Sequence, residues 1–169
     1  MVDIKTSLHG RRFGIGFDEE LVLNNPSTGQ QDQLSLWASH TVTSAELLAL
    51  NATAQAVIAA PGAGLAIVPV FGLVYKPAGT AYSGIAAGED LVLKYTDASG
   101  AICSSTIETT GFLDQTTAQT RSFFHLDGSP ALVANAAVAL HLLSGEITTG
   151  DSPLHLRINY RVVEMAFTT

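Results

Sequence analysis

Short apolar segments separated by glycine, proline, asparagine and aspartate turns make up most of this chain of 169 residues. In segment 154–165 apolar and polar residues alternate with a period of two, which places one set of side chains on a core face. Segment 65–76 is apolar at both parities, as is typical of a strand buried on both faces. Because no helices separate such segments, the sequence predicts an antiparallel β fold.

The number and spacing of these segments indicate the architecture. About eight strands of 5–12 residues lie between turns, which predicts an all-β antiparallel β-sandwich of the jelly-roll type. Pro69 predicts a bulge or a sheet-edge position within its strand, because proline lacks the backbone N–H of a β-ladder. One short helical turn is expected after Thr43 or Ser44, either of which is a suitable N-cap.

Charge is divided unevenly along the chain. Residues 1–12 hold Lys5, Arg11 and Arg12 against a single acid, whereas the remaining chain holds five basic residues and fourteen acidic ones. The sequence therefore predicts two regions, an extended N-terminal arm with a polar loop (1–41) and a β-sandwich body (42–169).

A basic arm ahead of an acidic body is typical of a segment that docks on a partner. The predicted docking residues are Lys5, His9, Arg11, Arg12 and Phe13. Only 14% of the residues are charged and 47% are hydrophobic, against about 25% charged in an average domain. Such a low-charge surface leaves apolar area for neighbouring subunits to cover, so we expect an oligomer.

Neither a membrane nor a nucleic acid is an expected partner. No apolar run reaches the ~18 residues that span a bilayer, and the N-terminus lacks the apolar core of a signal peptide. The net charge of −7 argues against binding of phosphates by the body.

No motif predicts an enzyme or a cofactor. Gly150-Asp151-Ser152, with His155 nearby, resembles the nucleophile block of GDS-type esterases, but it lies between two strands, where these residue types form ordinary turns. Cys103 is the only cysteine, and the histidines form no His-x-His pair, so no metal site is expected. His141 and His155, on the last two strands, could face each other across a hairpin, but two separate, partly exposed strand histidines are the favoured interpretation.

Several segments resemble virion proteins of tailed bacteriophages. They are 42–64 (VTSAELLALNATAQAVIAAPGAG), 80–85 (TAYSGI), 89–100 (EDLVLKYTDASG) and the opening 6–14 (TSLHGRRFG). The resemblance implies a capsid decoration (cement) protein, a jelly-roll homotrimer at the outer capsid surface of the virion. Such a protein binds the major capsid protein, stabilises the lattice between capsomers and has no catalytic residues.

Two other functions stay open on the sequence. One is a phage tail, fibre or receptor-binding β module that recognises a host surface glycan, which requires a surface pocket with aromatic or carboxylate groups. The other is a small β-barrel enzyme of the cupin-like or hydrolytic kind.

Overall fold

The computed structural model describes residues 12–15, 21–24, 31–33, 36–126 and 131–165. The chain divides into two units, Met1–Leu36 and Trp37–Thr169. In the first unit, an antiparallel sheet of three short strands is present, formed by β1 (Arg12–Ile15), β2 (Leu21–Asn24) and β3 (Gln31–Gln33). Strand β3 lies where the sequence predicted only an exposed loop, since Gln31–Gln33 is polar and shows no apolar alternation.

Eight more strands and one short helix follow in chain order. They are β4 (Leu36–Val42), α1 (Ser44–Leu48), β5 (Gln55–Ile58), β6 (Leu65–Lys76), β7 (Asp90–Tyr95), β8 (Ile107–Glu108), β9 (Gln119–Phe124), β10 (Val138–Leu142) and β11 (Leu154–Glu164). Sheet A has the strand order β4-β11-β6-β9, and sheet B has the order β5-β10-β7-β8. The predicted all-β antiparallel sandwich is confirmed.

Strand pairing is nested along the chain. Strand β4 pairs with β11, β5 with β10, β6 with β9, and β7 with β8. Every connection from β4 to β11 therefore crosses between sheets A and B, except the one from β7 to β8. This is the pattern that results when one long antiparallel hairpin is wrapped into two layers.

The core lies between the two sheets. It draws its buried apolar side chains from both of them: Val42, Ile67, Val74, Phe123, Leu154, Leu156 and Ile158 on sheet A, and Val57, Ile58, Leu91, Leu93, Tyr95, Ile107, Val138, Leu140 and Leu142 on sheet B. One hydrogen bond also joins the layers, because the Tyr95 hydroxyl on β7 donates to the Ile67 carbonyl on β6 at 2.6 Å.

Strand β11 has the two faces that its period of two predicts. Leu154, Leu156 and Ile158 are buried, while His155 and Arg157 are exposed. Its partner β6 contains a bulge: Asn159 and Tyr160 on β11 face Phe71 and Pro69, so that Val70 has no partner there. The prediction of a bulge at Pro69 is confirmed.

The prediction that segment 65–76 is buried on both faces is wrong. Val74 is fully buried, but Leu73 and Tyr75 are 37% and 43% exposed. Only one face of β6 packs on the core, and its other face is apolar without being covered by the described residues. Apolar residues at both parities here indicate a surface available for contact with another molecule.

The helix α1 begins with a complete capping box. The Thr43 hydroxyl accepts a hydrogen bond from the Glu46 backbone N–H at 3.3 Å, and the Glu46 carboxylate accepts one from the Thr43 N–H at 2.8 Å. Of the two suggested caps, Thr43 is therefore the one used. Leu47 fixes the helix to the core by its buried side chain.

Strand β4 lies across the boundary that the sequence predicted between residues 41 and 42. It is an edge strand of sheet A, and the two units divide between Leu36 and Trp37. Its side chains alternate, with Trp37, Ser39 and Thr41 exposed and the residues between them partly buried. Residues 39–41 concealed this strand, because the outward Ser39 and Thr41 and the inward His40 are all polar.

Candidate functional site

The exposed large apolar side chains of the described residues all lie on one layer of the sandwich. They are Trp37 (50% exposed), Val70 (36%), Leu73 (37%), Tyr75 (43%) and Phe124 (58%), on strands β4, β6 and β9 of sheet A. Single exposed apolar residues are normal on a protein surface, but a set confined to one sheet marks a contact surface.

Strand register places most of these side chains on the outer face of sheet A. Tyr75 lies opposite His155 and Leu73 opposite Arg157, both exposed residues of β11. Phe71 lies opposite Phe124 on β9, and their rings are tilted at 5.7 Å between centroids. We call the set Trp37, Phe71, Leu73, Tyr75 and Phe124 the aromatic face.

Polar side chains hold the rings of this face in place. The Arg157 guanidinium lies over the Trp37 ring, with its Cζ 4.8 Å from the ring centroid. The Tyr75 ring stacks on His155 at 6.1 Å, and the Nδ1 atom of His155 is hydrogen-bonded to the Thr41 hydroxyl at 3.1 Å. The two arrangements limit the rotamers of both rings, which lowers the entropy lost when a ligand packs on them.

A shallow groove opens on this face between strands β4, β11 and β6. Its volume is about 420 Å³, and its lining includes Ser39, Thr41, Leu73, Tyr75, His155 and Arg157. No residue that lines it is acidic.

The outer face of β11 also carries two arginines whose N–H groups donate no hydrogen bond to another described residue. Within the described part of the chain, Lys76, Lys94 and Arg121 all donate hydrogen bonds to backbone carbonyls. Arg157 and Arg161 donate none to another described residue. Sheet A therefore presents two arginines without hydrogen bonds to described residues, one of which, Arg157, lies over the Trp37 ring, on a chain whose net charge is −7.

The docking residues predicted in the arm fall mainly outside the described structure. Lys5, His9 and Arg11 belong to segments that are not described, while Arg12 and Phe13 lie on β1. The docking role of the arm stays a prediction.

The esterase-like block is not assembled as a catalytic site. Ser152 is buried and its hydroxyl donates to Asp151 at 3.4 Å, while Asp151 accepts hydrogen bonds from the backbone N–H and hydroxyl of Thr80, each at 2.8 Å. These Thr80 bonds hold the pKa of Asp151 below its usual value. His155 lies on the exposed face of β11 and is hydrogen-bonded to the Thr41 hydroxyl. It is therefore not placed to act as a base for Ser152.

The two histidines of the last two strands lie in different layers and do not face each other. His141 is on β10 of sheet B, buried, and its Nε2 atom is hydrogen-bonded to the Asn51 carbonyl at 3.0 Å. Burial lowers the pKa of His141. Across the described ranges, no three His, Cys, Asp or Glu side chains come together as a metal site requires.

Comparisons with protein-family models, curated proteins and solved structures find no significant match to this chain. Among the helices of the described segments, none is long and apolar enough to cross a membrane.

The aromatic face as a unit was not predicted from the sequence. A signal was present in residues 36–42, LWASHTV, where Trp37, Ser39 and Thr41 occupy every second position and therefore share one face of a strand. The exposed residues of β11 were assigned to the correct face, but their proximity to Trp37 and Tyr75 depends on which strands are neighbours in sheet A.

Proposed function

We propose that this chain is a non-enzymatic structural protein of a virion, a head decoration (cement) protein that binds the major capsid protein on the outer capsid surface. The observation that carries the proposal is the restriction of exposed large apolar side chains to sheet A. An apolar face of this kind on a small β-sandwich is typical of a protein that functions through contact with other subunits.

We also propose that the body is a jelly roll. Counting β4 as strand 1 and β11 as strand 8, the strand orders are 1-8-3-6 and 2-7-4-5. These orders, with the nested pairing described above, are those of an eight-stranded jelly roll built from two Greek keys.

The proposed assembly is a homotrimer in which sister subunits cover part of the aromatic face. Phe71 and Phe124 supply an aromatic pair at the β6–β9 side of sheet A, where burial against a neighbour removes apolar surface from water. Binding at many equivalent lattice positions lets weak individual contacts hold the subunit, since each attached contact raises the effective concentration of the next.

The arm supplies the proposed attachment to the capsid. A basic extended segment can add a strand to an exposed sheet edge, where main-chain hydrogen bonds give affinity. Its cations, Lys5, Arg11 and Arg12, would then pair with acidic capsid residues.

The test is co-sedimentation of the full chain with empty heads of a phage that carries this sequence. We expect the full chain to bind, and a variant lacking residues 1–12 to stay folded and trimeric by light scattering without binding. Unchanged binding of the shortened variant contradicts arm docking, and absence of binding by the full chain contradicts decoration.

The second candidate, a tail or fibre module that recognises a host glycan, is favoured by the exposed Trp37 and Tyr75 rings beside the groove. Immunogold labelling of intact virions separates the two functions. Label over the whole head supports decoration, and label confined to the tail or its tip supports the module.

A further inference from the structure

We propose that the groove of sheet A binds a sugar that carries a carboxylate, such as a hexuronate or a sialate. The groove residues that carry the proposal are Ser39, Thr41, Tyr75, His155 and Arg157. Trp37 lies next to the groove, with the Arg157 guanidinium over its ring. The proposal concerns the sandwich body alone and holds whether or not the chain decorates a capsid.

The rings suit the flat apolar side of a pyranose. Tyr75 and Trp37 are 43% and 50% exposed, so each ring keeps surface open to a ligand although His155 stacks on Tyr75 and Arg157 lies over Trp37. Tyrosine and tryptophan supply large, rigid contact area at low entropic cost, and they combine an apolar ring with a polar edge. Sugars match this chemistry because their C–H faces are apolar and their rims are hydroxyl groups.

The charge of the groove selects an acidic ligand. Arg157 is held over Trp37 with no hydrogen bond to another described residue, so its planar N–H fork is open to a carboxylate. No lining residue carries a carboxylate that would repel the ligand or compete for Arg157. On a chain of net charge −7, this local excess of positive charge is the reverse of the overall balance.

The size and polar groups of the groove fit a small saccharide. Its volume of about 420 Å³ lies within the range of about 300–1,000 Å³ that is usual for small-molecule sites. The hydroxyls of Ser39 and Thr41 lie on its β4 side, where they can exchange hydrogen bonds with sugar hydroxyls. A simple carboxylate would use Arg157 but would leave the rings and these hydroxyls without contacts.

The experiment is a titration of the full chain followed by intrinsic fluorescence, since Trp37 is the only tryptophan. The ligands are sodium D-glucuronate, N-acetylneuraminate, D-glucose and sodium acetate, all at constant ionic strength, with isothermal calorimetry as a second measurement. We expect saturable binding of glucuronate, of N-acetylneuraminate or of both, with glucose and acetate at least about tenfold weaker. The first two ligands distinguish a uronate from a sialate.

Variants assign the binding to this groove. Arg157→Gln is expected to raise the Kd for the acidic sugar at least about tenfold, with a much smaller effect on the weak binding of glucose. Arg161→Gln is the matched control, because Arg161 is an exposed arginine on the same side of β11 and is not among the groove residues. It should change the Kd less than about twofold.

Three results overturn the proposal. The first is no saturable binding of either acidic sugar. The second is acetate binding as tight as that of the acidic sugars, which indicates a simple carboxylate or acidic-peptide site. The third is an equal loss of affinity in Arg157→Gln and Arg161→Gln, which indicates unspecific attraction to charge. Tyr75→Ala provides a further check, since a merely electrostatic site would retain its affinity. Capsid binding is measured separately, so failure here leaves the decoration proposal standing, and the converse also holds.

Discussion

The hydrogen bond between Tyr95 and Ile67 gives the sharpest test of how the sandwich is held together. Tyr95 on sheet B is 1% exposed, and its hydroxyl donates to a backbone carbonyl of sheet A at 2.6 Å. The substitution Tyr95→Phe keeps the aromatic ring in the core and removes only this link. Packing is therefore nearly unchanged, and the loss reports on the hydrogen bond.

The expected cost follows from the burial of the site. A hydrogen bond contributes about 0.5–1.5 kcal/mol net, and leaving a buried acceptor without a partner costs about 1–3 kcal/mol. We expect Tyr95→Phe to lower the free energy of unfolding by about 1–2 kcal/mol. At about 2–4 °C per kcal/mol for a chain of this size, Tm falls by about 2–8 °C.

The assay is urea unfolding followed by far-UV circular dichroism, with Tyr160→Phe as the matched control. Tyr160 packs against the same core from β11, but its hydroxyl makes no hydrogen bond with a described residue. Its removal should change stability by less than about 0.5 kcal/mol. Equal effects of the two substitutions would refute the argument that the Tyr95 hydroxyl joins the sheets.

Alkaline pH tests the same bond without a mutation. Burial, with a smaller contribution from Cys103, raises the pKa of Tyr95 to about 12, whereas a free phenol titrates near ~10. Because folding favours the neutral phenol, its stabilisation is complete below pH ~10 and is lost as the pH rises towards 12. Burial raises the pKa of Tyr82 to about 12 as well, so Tyr95→Phe should reduce the alkaline loss of stability without abolishing it.

Three further predictions address other parts of the molecule. Burial raises the pKa of the Cys103 thiol to about 12, so its reaction with Ellman's reagent should be on the order of a hundredfold slower in the folded protein than in denaturant; equal rates would contradict its burial. Gly150→Ala should destabilise the fold by about 2–3 kcal/mol in thermal unfolding, because φ is +131° and the added Cβ would lie 2.1 Å from the Tyr82 ring. Gly88→Ala, at φ +85° with open space around it, should cost only about 1 kcal/mol. If the two alanine substitutions lower stability by the same amount, the contact with the Tyr82 ring does not contribute. Reversing the charges of Arg11 and Arg12 should weaken attachment to heads and flatten its salt dependence, and an affinity that does not respond to salt would make both arginines bystanders.

The local pattern of the sequence was sufficient for the strands that pack on the core. Strand β6 occupies Leu65–Lys76 as predicted, and the alternation in β11 placed the side chains of residues 154–158 on the correct faces, while Asn159, expected on the polar face, is buried. The turn before β6 adopts positive φ at Gly62 and Gly64, a conformation that glycine permits. These features depend on residues a few positions apart, so the local sequence is sufficient to predict them.

The return from the hairpin after β7 shows how a side chain can replace strand pairing. Only Ile107–Glu108 forms β8, and before it the chain makes a single isolated bridge between Lys94 and Ile102. The Ser104 hydroxyl, instead of a ladder carbonyl, accepts the Leu93 N–H at 3.0 Å. Serine side chains compete with backbone pairing in this way, and propensity does not show when they succeed.

What the sequence alone determined is the class of fold: short strands, their turns, their core-facing side chains and the unequal charge of arm and body. Only the tertiary structure decided which strands are neighbours, and hence that Tyr75, His155 and Arg157 share one exposed groove, with Trp37 next to Arg157. Thr41 and His155 are 114 positions apart along the chain, yet they form one hydrogen bond. Alternation determines which face of a strand a side chain lies on. Contacts across a sheet depend on which distant strands pair, and neighbouring residues in the sequence do not indicate that pairing.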